Sequence, residues 1–194
     1  MQLPQPVQGS HPEDSSLSIL DYFLLDQSTV PPGMGIFLNR SYRMHKNVNR
    51  FISEAIYGGR LGNDPACDIQ EIHLAADAQS EIAASNGIRY IEVSHRGNKQ
   101  ASLEEVERIV SLIKSLENSK WTDKKGVDHP VEPKDILVVA PFNYQVNELK
   151  KRVGDSARVG TVDLFQGQEA PIVIVSMTAS IAADSARGLE FLLS

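Results

Sequence analysis

The sequence is poor in cysteine and in the motifs of common hydrolases. Cys67 is its only cysteine, so a disulfide within the chain and a cysteine-rich metal cluster are both excluded. The five histidines do not fall at zinc-site spacing, and no Gly-x-Ser-x-Gly segment is present. These absences argue against a metal hydrolase or a serine hydrolase, and we expect a cytoplasmic protein without a metal site.

Long apolar runs and an excess of basic residues are also missing. No run approaches the length of a membrane span, and Met1 to Pro4 does not begin an export signal, so we expect no membrane partner. The formal net charge is −6. Because non-specific nucleic-acid affinity comes mainly from basic side chains, any nucleic-acid binding by this chain must be local.

Neither glycine motif for phosphate binding occurs, since both Gly-x-x-x-x-Gly-Lys-Ser/Thr and Gly-x-Gly-x-x-Gly are absent. The chain therefore lacks the phosphate cradle of a P-loop ATPase. Its 194 residues suit one domain, and a chain of that size buries roughly 70 % of its unfolded surface.

Predicted strands alternate with predicted helices, which favours an α/β fold with a mostly parallel sheet. We expect strands at residues 35–38, 89–94 and 135–140, and a loop anchored by Trp121 over residues 121–133. Three further segments have the apolar spacing of helices. They are a short helix from Leu17, a helix with Val48, Phe51, Ile52, Ala55 and Ile56 inward that ends at Gly58-Gly59, and a helix with Val146, Leu149 and Val153 inward.

One more helix is predicted to begin at a capping box, Ser102-Leu103-Glu104-Glu105. Its buried stripe is Leu103, Val106, Ile109, Val110, Ile113 and Leu116, and its glutamate-rich face is expected to be solvated. Residues 61–87 give no firm assignment.

The most distinctive stretch is residues 159–169, which is followed by the apolar run Ile172 to Val175. Two apolar segments on either side of a polar segment predict two buried strands joined by a loop. Gly167 can adopt a positive φ or let a ligand approach the backbone closely. A ligand-binding loop and a capped turn both fit this pattern.

Arg43 is expected where a strand passes into a helix, a place where ligands gather in α/β sheets. The planar guanidinium of Arg43, next to Tyr42, would suit an anionic ligand. A surface salt bridge is the alternative.

Several segments together resemble the second RecA-like lobe of superfamily 1 helicases, in the branch of the DNA replication helicase-nuclease and the nonsense-mediated-decay helicases. Gln2-Leu3-Pro4 resembles the end of the third helicase motif, and residues 41–45 resemble the fourth, although Lys46 stands where Pro is common. Residues 140–145 resemble a Thr-Pro-Tyr-x-x-Gln segment, and residues 160–169 the fifth motif, with Leu164 in place of a frequent Lys. Residues 5–12 resemble, more weakly, bacterial helicases fused to a RecB-like nuclease.

The resemblance implies a role for each matching residue. Arg43 would be the catalytic arginine finger, while Gln2, Tyr42, Gly167 and Glu169 would contact ATP. Thr161 and Asn143 would hold the nucleic-acid backbone. ATP and Mg²⁺ would be bound mainly by a first RecA-like lobe that is absent from this chain, so no cofactor is expected on the chain alone.

The resemblance also implies the domain organisation. Residues 1–16 would be an irregular lead-in, and residues 17–194 a single RecA-like α/β core that is truncated before the sixth helicase motif. The expected partners are the first lobe and single-stranded DNA or RNA. The alternative is a non-catalytic module that binds nucleic acid or protein through a helicase-derived surface.

Overall fold

The computed structural model describes Leu24, Gln27, residues 29–75, Ile82 and residues 85–180. The chain divides into two units, Met1–Asp68 and Ile69–Ser194. The expected lead-in over residues 1–16 and nearly all of the helix expected from Leu17 lie outside the described residues.

In the described part of the first unit, one α-helix lies between two short parallel strands. These elements are β1 (Arg40–Ser41), α1 (Lys46–Tyr57) and β2 (Gly62–Asn63). Gly58 follows α1 with a left-handed φ of 57°, and its N–H bonds to the carbonyl oxygen of Ser53. A residue without a Cβ adopts this conformation at little cost, so the predicted end of the helix at Gly58-Gly59 is confirmed.

The predicted inward face of α1 is wrong. Asn49 and Ser53 are the buried residues, whereas Phe51 is 59% exposed and Ile56 is 50% exposed. The Asn49 side chain donates to the Leu61 carbonyl at 3.0 Å, and the Ser53 hydroxyl accepts from the Leu61 N–H at 3.0 Å. The chain leaving the helix thus covers the polar face, because that face satisfies its backbone groups.

The strand predicted at residues 35–38 is also absent. No ladder forms there, and the side chains of Ile36 and Leu38 are 86% and 81% exposed. The regular pairing begins only at Arg40, opposite Gly62. An apolar run predicts burial, but it does not supply the neighbouring strand that a ladder needs.

The described residues of the second unit form two sheets and two α-helices. In chain order its elements are β3 (Glu71–His73), α2 (Leu103–Ser115), β4 (Lys120–Thr122), β5 (Asp128–Pro130), β6 (Ile136–Val139), α3 (Asn143–Val153), β7 (Arg158–Gly160) and β8 (Ile172–Val175). Short 3-10 helices span Pro133–Asp135, Gly154–Ser156 and Asp163–Phe165. Residues 89–94 form no strand, so that prediction is wrong.

Strand β6 is the middle strand of a parallel sheet with the order β7-β6-β8. Its residues Ile136, Leu137 and Val138 are all buried. A short branched run buried on both faces is typical of a central parallel strand. The prediction of this strand is confirmed, and strands do lie before and after the polar loop. The predicted burial of the second one is wrong, since Val173 and Val175 of β8 are 53% and 59% exposed.

Helices α2 and α3 pack with strands β6 and β7 in one apolar core. The cluster comprises Val106, Ile109, Ile113, Leu116, Ile136, Val138, Ala140, Val146, Leu149, Val153, Ala157 and Val159. The inward stripes predicted for both helices are therefore largely confirmed, and Ser102 caps α2 by accepting from the Glu105 N–H. Leu103 is 61% exposed, so its assignment to the stripe is wrong.

The segment predicted as an exposed loop at residues 121–133 instead forms a hairpin. Strands β3, β4 and β5 make an antiparallel sheet in that order, and Trp121 packs on His129 with ring centroids 4.8 Å apart. The Asp123 carboxylate accepts from the N–H groups of Lys125 and Val127, and Gly126 has a φ of 78°. The polar residues read as a loop are the turn that closes the hairpin.

We predict that the Asp123→Asn variant loses part of the acid dependence of this hairpin. A hydrogen bond from Val127, then bonds from His129 and Lys125, hold the pKa of Asp123 below its usual value. Its contribution to stability is therefore present above the unfolded pKa, about 3.9, and is lost as pH falls through the lower folded pKa. Because Trp121 is the only tryptophan, its fluorescence reports the hairpin. The variant should be less stable at neutral pH, with a difference that shrinks in acid. A difference that stays constant into strong acid would contradict this cause.

Candidate functional site

Two of the predicted ligand residues follow the carboxyl ends of neighbouring parallel strands. Asn143 begins α3 just after β6, and Thr161 comes directly after β7. The ladder continues to this edge, since the Ala140 N–H bonds to the Gly160 carbonyl at 3.1 Å. The structure thus brings Asn143 and Thr161 to the edge of the sheet where ligands bind in α/β folds.

The start of α3 is suited to negatively charged groups. Asn143 is exposed, and the N-cap residue Phe142 supplies no side-chain hydrogen bond to the helix. An α-helix leaves its first N–H groups without helical acceptors, and these groups carry the positive end of the helix dipole. Together with the Asn143 amide, this turn offers neutral donors to a phosphate.

The loop between β7 and β8 is held by its own contacts. Gln168 accepts from Arg158 Nη1 at 2.8 Å and donates to the Leu164 carbonyl at 3.1 Å. Gly167 has a φ of 79°, and no other atom would lie within 4 Å of an added Cβ. Its role is therefore to take a left-handed conformation that leaves the backbone open to approach.

The two ends of this loop lie at opposite ends of the sheet. Thr161 follows the carboxyl end of β7, whereas Glu169 is exposed and shortly precedes the amino end of β8. Arg158, the partner of Gln168, is the first residue of β7. Strands β7 and β8 both run parallel to β6. The loop must therefore return from the carboxyl ends of the strands to their amino ends. The structure therefore separates Thr161 from Glu169.

Gly160 is a residue of this site that the sequence reasoning missed. A Cβ added to it would lie 2.5 Å from Leu164 Cδ2 and 3.1 Å from Phe165 Cε2. The turn that carries Asp163–Phe165 thus packs directly on the backbone of β7. A signal was present in the sequence, since a glycine at a strand end often marks a close approach.

In the first unit, Tyr42 and Arg43 lie between β1 and α1, as predicted for Arg43. Both are exposed, with Tyr42 at 62%. The Arg43 N–H donates to the Ser41 hydroxyl at 3.4 Å, and buried His45 caps α1 by accepting from the Asn47 N–H at 3.1 Å. These contacts fix the backbone on both sides of Arg43. Gln2 lies outside the described residues.

The expectation that the glutamate face of α2 is solvated fails at Glu105, which is 8% exposed. Its carboxylate accepts from the Ser176 hydroxyl and from the Thr178 N–H, and His95 Nε2 lies 3.1 Å away. Glu105 is four residues before Ile109 on the helix, so its spacing alone places it on the inward face. The helical spacing of Glu105 therefore predicts its burial better than its charge does.

Glu104, the neighbouring residue, is the solvated member of the pair. Hydrogen bonds from its own backbone N–H, then from the side chains of Asn98 and Ser102, hold the pKa of its carboxyl below the usual value. The two glutamates of the predicted capping box thus have different roles.

The described part of the chain forms neither a metal-ligand cluster nor a membrane-spanning helix. Among those residues, no group of three or more His, Cys, Asp or Glu side chains could hold a metal ion. None of the helices formed by them is both long and apolar enough to cross a bilayer.

Comparison with known proteins identifies the family. A family model described as an AAA domain matches residues 19–192. The DNA-binding protein SMUBP-2 of Mesocricetus auratus is 28% identical over 193 residues, covering 92% of this chain and 18% of its own length. The DNA polymerase alpha-associated DNA helicase A of Schizosaccharomyces pombe is 28% identical over 193 residues, covering 93% of this chain and 27% of its own length.

The chain belongs to this AAA domain family and is a helicase-type lobe of superfamily 1. The family match and the parallel sheet flanked by helices confirm the RecA-like α/β fold expected from the motifs. The chain spans less than a third of the length of each of the two relatives.

We predict that Gly160→Ala destabilises the second unit by about 1–3 kcal/mol, because the new methyl group overlaps Leu164 and Phe165. Chemical denaturation followed by circular dichroism measures this change. Gly33→Ala is the matched control, since an added Cβ there would meet no atom within 4 Å. Equal stabilities for the Gly160→Ala variant and the unmodified chain would show that the turn does not pack on β7 in solution.

Proposed function

We propose that this chain is the second motor lobe of an ATP-dependent superfamily 1 helicase that moves along single-stranded nucleic acid. The observation that carries the proposal is the loop between β7 and β8. Thr161, at one end, and Asn143 follow the carboxyl ends of the neighbouring strands β7 and β6, and Gly167 and Glu169 lie toward the other end of the loop. One loop could therefore respond to a nucleic-acid strand and to a nucleotide.

The proposed strand contacts are made by neutral groups. Asn143 and Thr161 offer side-chain donors, and the open first turn of α3 adds backbone N–H groups. Such groups position a phosphate backbone without adding positive charge. An acidic chain with a net charge of −6 can hold a strand locally in this way.

The proposed nucleotide contacts serve an ATP that is bound on the first RecA-like lobe. Arg43 would reach the γ-phosphate and stabilise the charge that spreads during phosphoryl transfer. Tyr42 would stack on the adenine, Gln2 would sense the γ-phosphate, and Glu169 would accept from the ribose hydroxyls. The backbone at Gly167 is open to a phosphate. The Mg²⁺ that accompanies ATP would be held by the first lobe.

We predict that Arg43→Ala lowers the strand-stimulated kcat of the chain joined to its first lobe. An arginine finger supplies about 10³- to 10⁵-fold in rate, so a loss on that scale is expected. Arg50→Ala is the matched control, because Arg50 is an exposed arginine on α1 and should leave kcat unchanged. The 194-residue chain alone should not hydrolyse ATP. Arg43-dependent hydrolysis by the chain alone would contradict the proposal.

A non-catalytic binding module is the second candidate function. The observation that favours it is the missing phosphate cradle, because no P-loop sequence occurs in the chain. A module of this kind would use the same exposed edge, with Asn143 and Thr161, but would need no first lobe.

A titration with single-stranded DNA separates the two functions. A motor lobe supplies only part of the strand groove, so we predict negligible binding by the chain alone and measurable binding once the first lobe is joined. Fluorescence anisotropy at several salt concentrations measures both, since phosphate contacts weaken as salt rises. Tight, salt-dependent binding by the chain alone would favour the module.

A further inference from the structure

A buried amide connects the first turn of α3 to two other segments of the second unit. Gln145 is 0% exposed. Its Oε1 accepts from the Ser102 N–H at 2.8 Å, and its Nε2 donates to the Ser102 carbonyl at 3.2 Å and to the Ser176 hydroxyl at 2.9 Å. One side chain thus satisfies both backbone groups of the α2 cap residue and reaches the residue that follows β8.

The chain of hydrogen bonds continues from Gln145 through Ser176 to Glu105. The Ser176 hydroxyl accepts from Gln145 and donates to Glu105 Oε2. Glu105 Oε1 accepts from the Thr178 N–H at 2.9 Å. Ser176 and Thr178 are 1% and 0% exposed, so water cannot replace a missing partner without cost. Loss of one member would leave several buried groups unsatisfied.

The geometry of a helix relates Gln145 to Asn143. Residues two apart on an α-helix point about 200° away from each other. Gln145 therefore faces inward while Asn143 faces outward, as the burial of one and the exposure of the other show. Any turn of the helix about its axis that moves Gln145 must move Asn143 as well.

The apolar residues of α3 and the hydrogen bonds of Gln145 constrain this rotation in different ways. Val146, Leu149 and Val153 pack into the core, but apolar attraction has no preferred direction. The three hydrogen bonds of Gln145 do have directions, and they act on the first turn of α3.

We propose that Gln145 is a positioning residue for strand binding, because its inward hydrogen bonds fix the first turn of α3 and thereby the placement of Asn143. The inference rests on the proposed strand contact of Asn143. Through Ser176 and Glu105, the same bonds tie that turn to the segment after β8 and to α2. Gln145 itself is too deeply buried to touch a strand.

Gln145→Met is the sharpest variant, because methionine has nearly the length of glutamine and keeps the packing while removing all three hydrogen bonds. Ser176→Ala is a second variant. It keeps both Gln145 bonds to Ser102 and removes the hydroxyl that accepts from Gln145 and donates to Glu105. Asn147→Ala is the matched control, since Asn147 is an exposed amide residue on the same helix.

The first measurement is amide hydrogen exchange on the 194-residue chain by NMR. In Gln145→Met, exchange should be about tenfold faster or more at two N–H groups. The Ser102 N–H loses its acceptor, and the Val146 N–H, which bonds to the Phe142 carbonyl, lies in the turn that Gln145 no longer holds. The amides of Lys150 to Val153 should keep their rates. Ser176→Ala should also accelerate exchange at the Ser102 and Val146 amides, but by a smaller factor. Unchanged exchange at Ser102 and Val146, or equal acceleration along all of α3, would overturn the inference.

The second measurement is a double-mutant cycle in the chain joined to its first lobe. We expect Gln145→Met to raise the half-saturating concentration of single-stranded DNA in an ATPase assay about tenfold, with the maximal rate within about twofold. In an Asn143→Ala background, Gln145→Met should raise the half-saturating DNA concentration no further, because the two residues act as one unit. Additive effects would overturn the positioning role.

The two measurements also separate this inference from the proposed function. If Asn143→Ala by itself leaves strand affinity unchanged, the strand contact of Asn143 is wrong, and the functional part of the inference falls with it. The exchange result would then still report whether Gln145 fixes the first turn of α3. Asn147→Ala should behave as the unmodified chain in both measurements.

Discussion

The parallel pairing of β6 with β7 on one side and β8 on the other is the constraint on which the site of the second unit depends. The β6–β7 ladder runs from Leu137 opposite Arg158 to Val139 opposite Gly160. The β6–β8 ladder runs from Ile136 opposite Ile172 to Val139 opposite Val175. Their common direction places the start of α3 and the start of the β7–β8 loop at one edge. It also forces that loop to cross the sheet before β8 can begin.

The parts of this architecture that local chemistry decides could be predicted from the sequence. Four branched apolar residues predicted β6, a glycine pair predicted the end of α1, and Ser102 predicted the start of α2. The residues of the candidate site were found because they stand in a motif order that resembles a known family. Their placement at the edge of the sheet then follows from the strands that precede them.

The parts that depend on distant partners could not be predicted. Glu105 is buried because Ser176 and Thr178, more than seventy residues away, supply its hydrogen bonds. The polar face of α1 is inward because Leu61 brings unsatisfied backbone groups to it. Periodicity reports which face of an element is apolar, but tertiary hydrogen bonds decide which face is covered.

We propose that the nucleotide contacts of this chain act only on ATP held by a first RecA-like lobe. Titration calorimetry with Mg²⁺ and ATP is the decisive measurement. We expect no binding heat for the 194-residue chain and clear binding for the chain joined to its first lobe, weakened by Tyr42→Ala. Binding of ATP by the chain alone, with the affinity of the two-lobed protein, would contradict it.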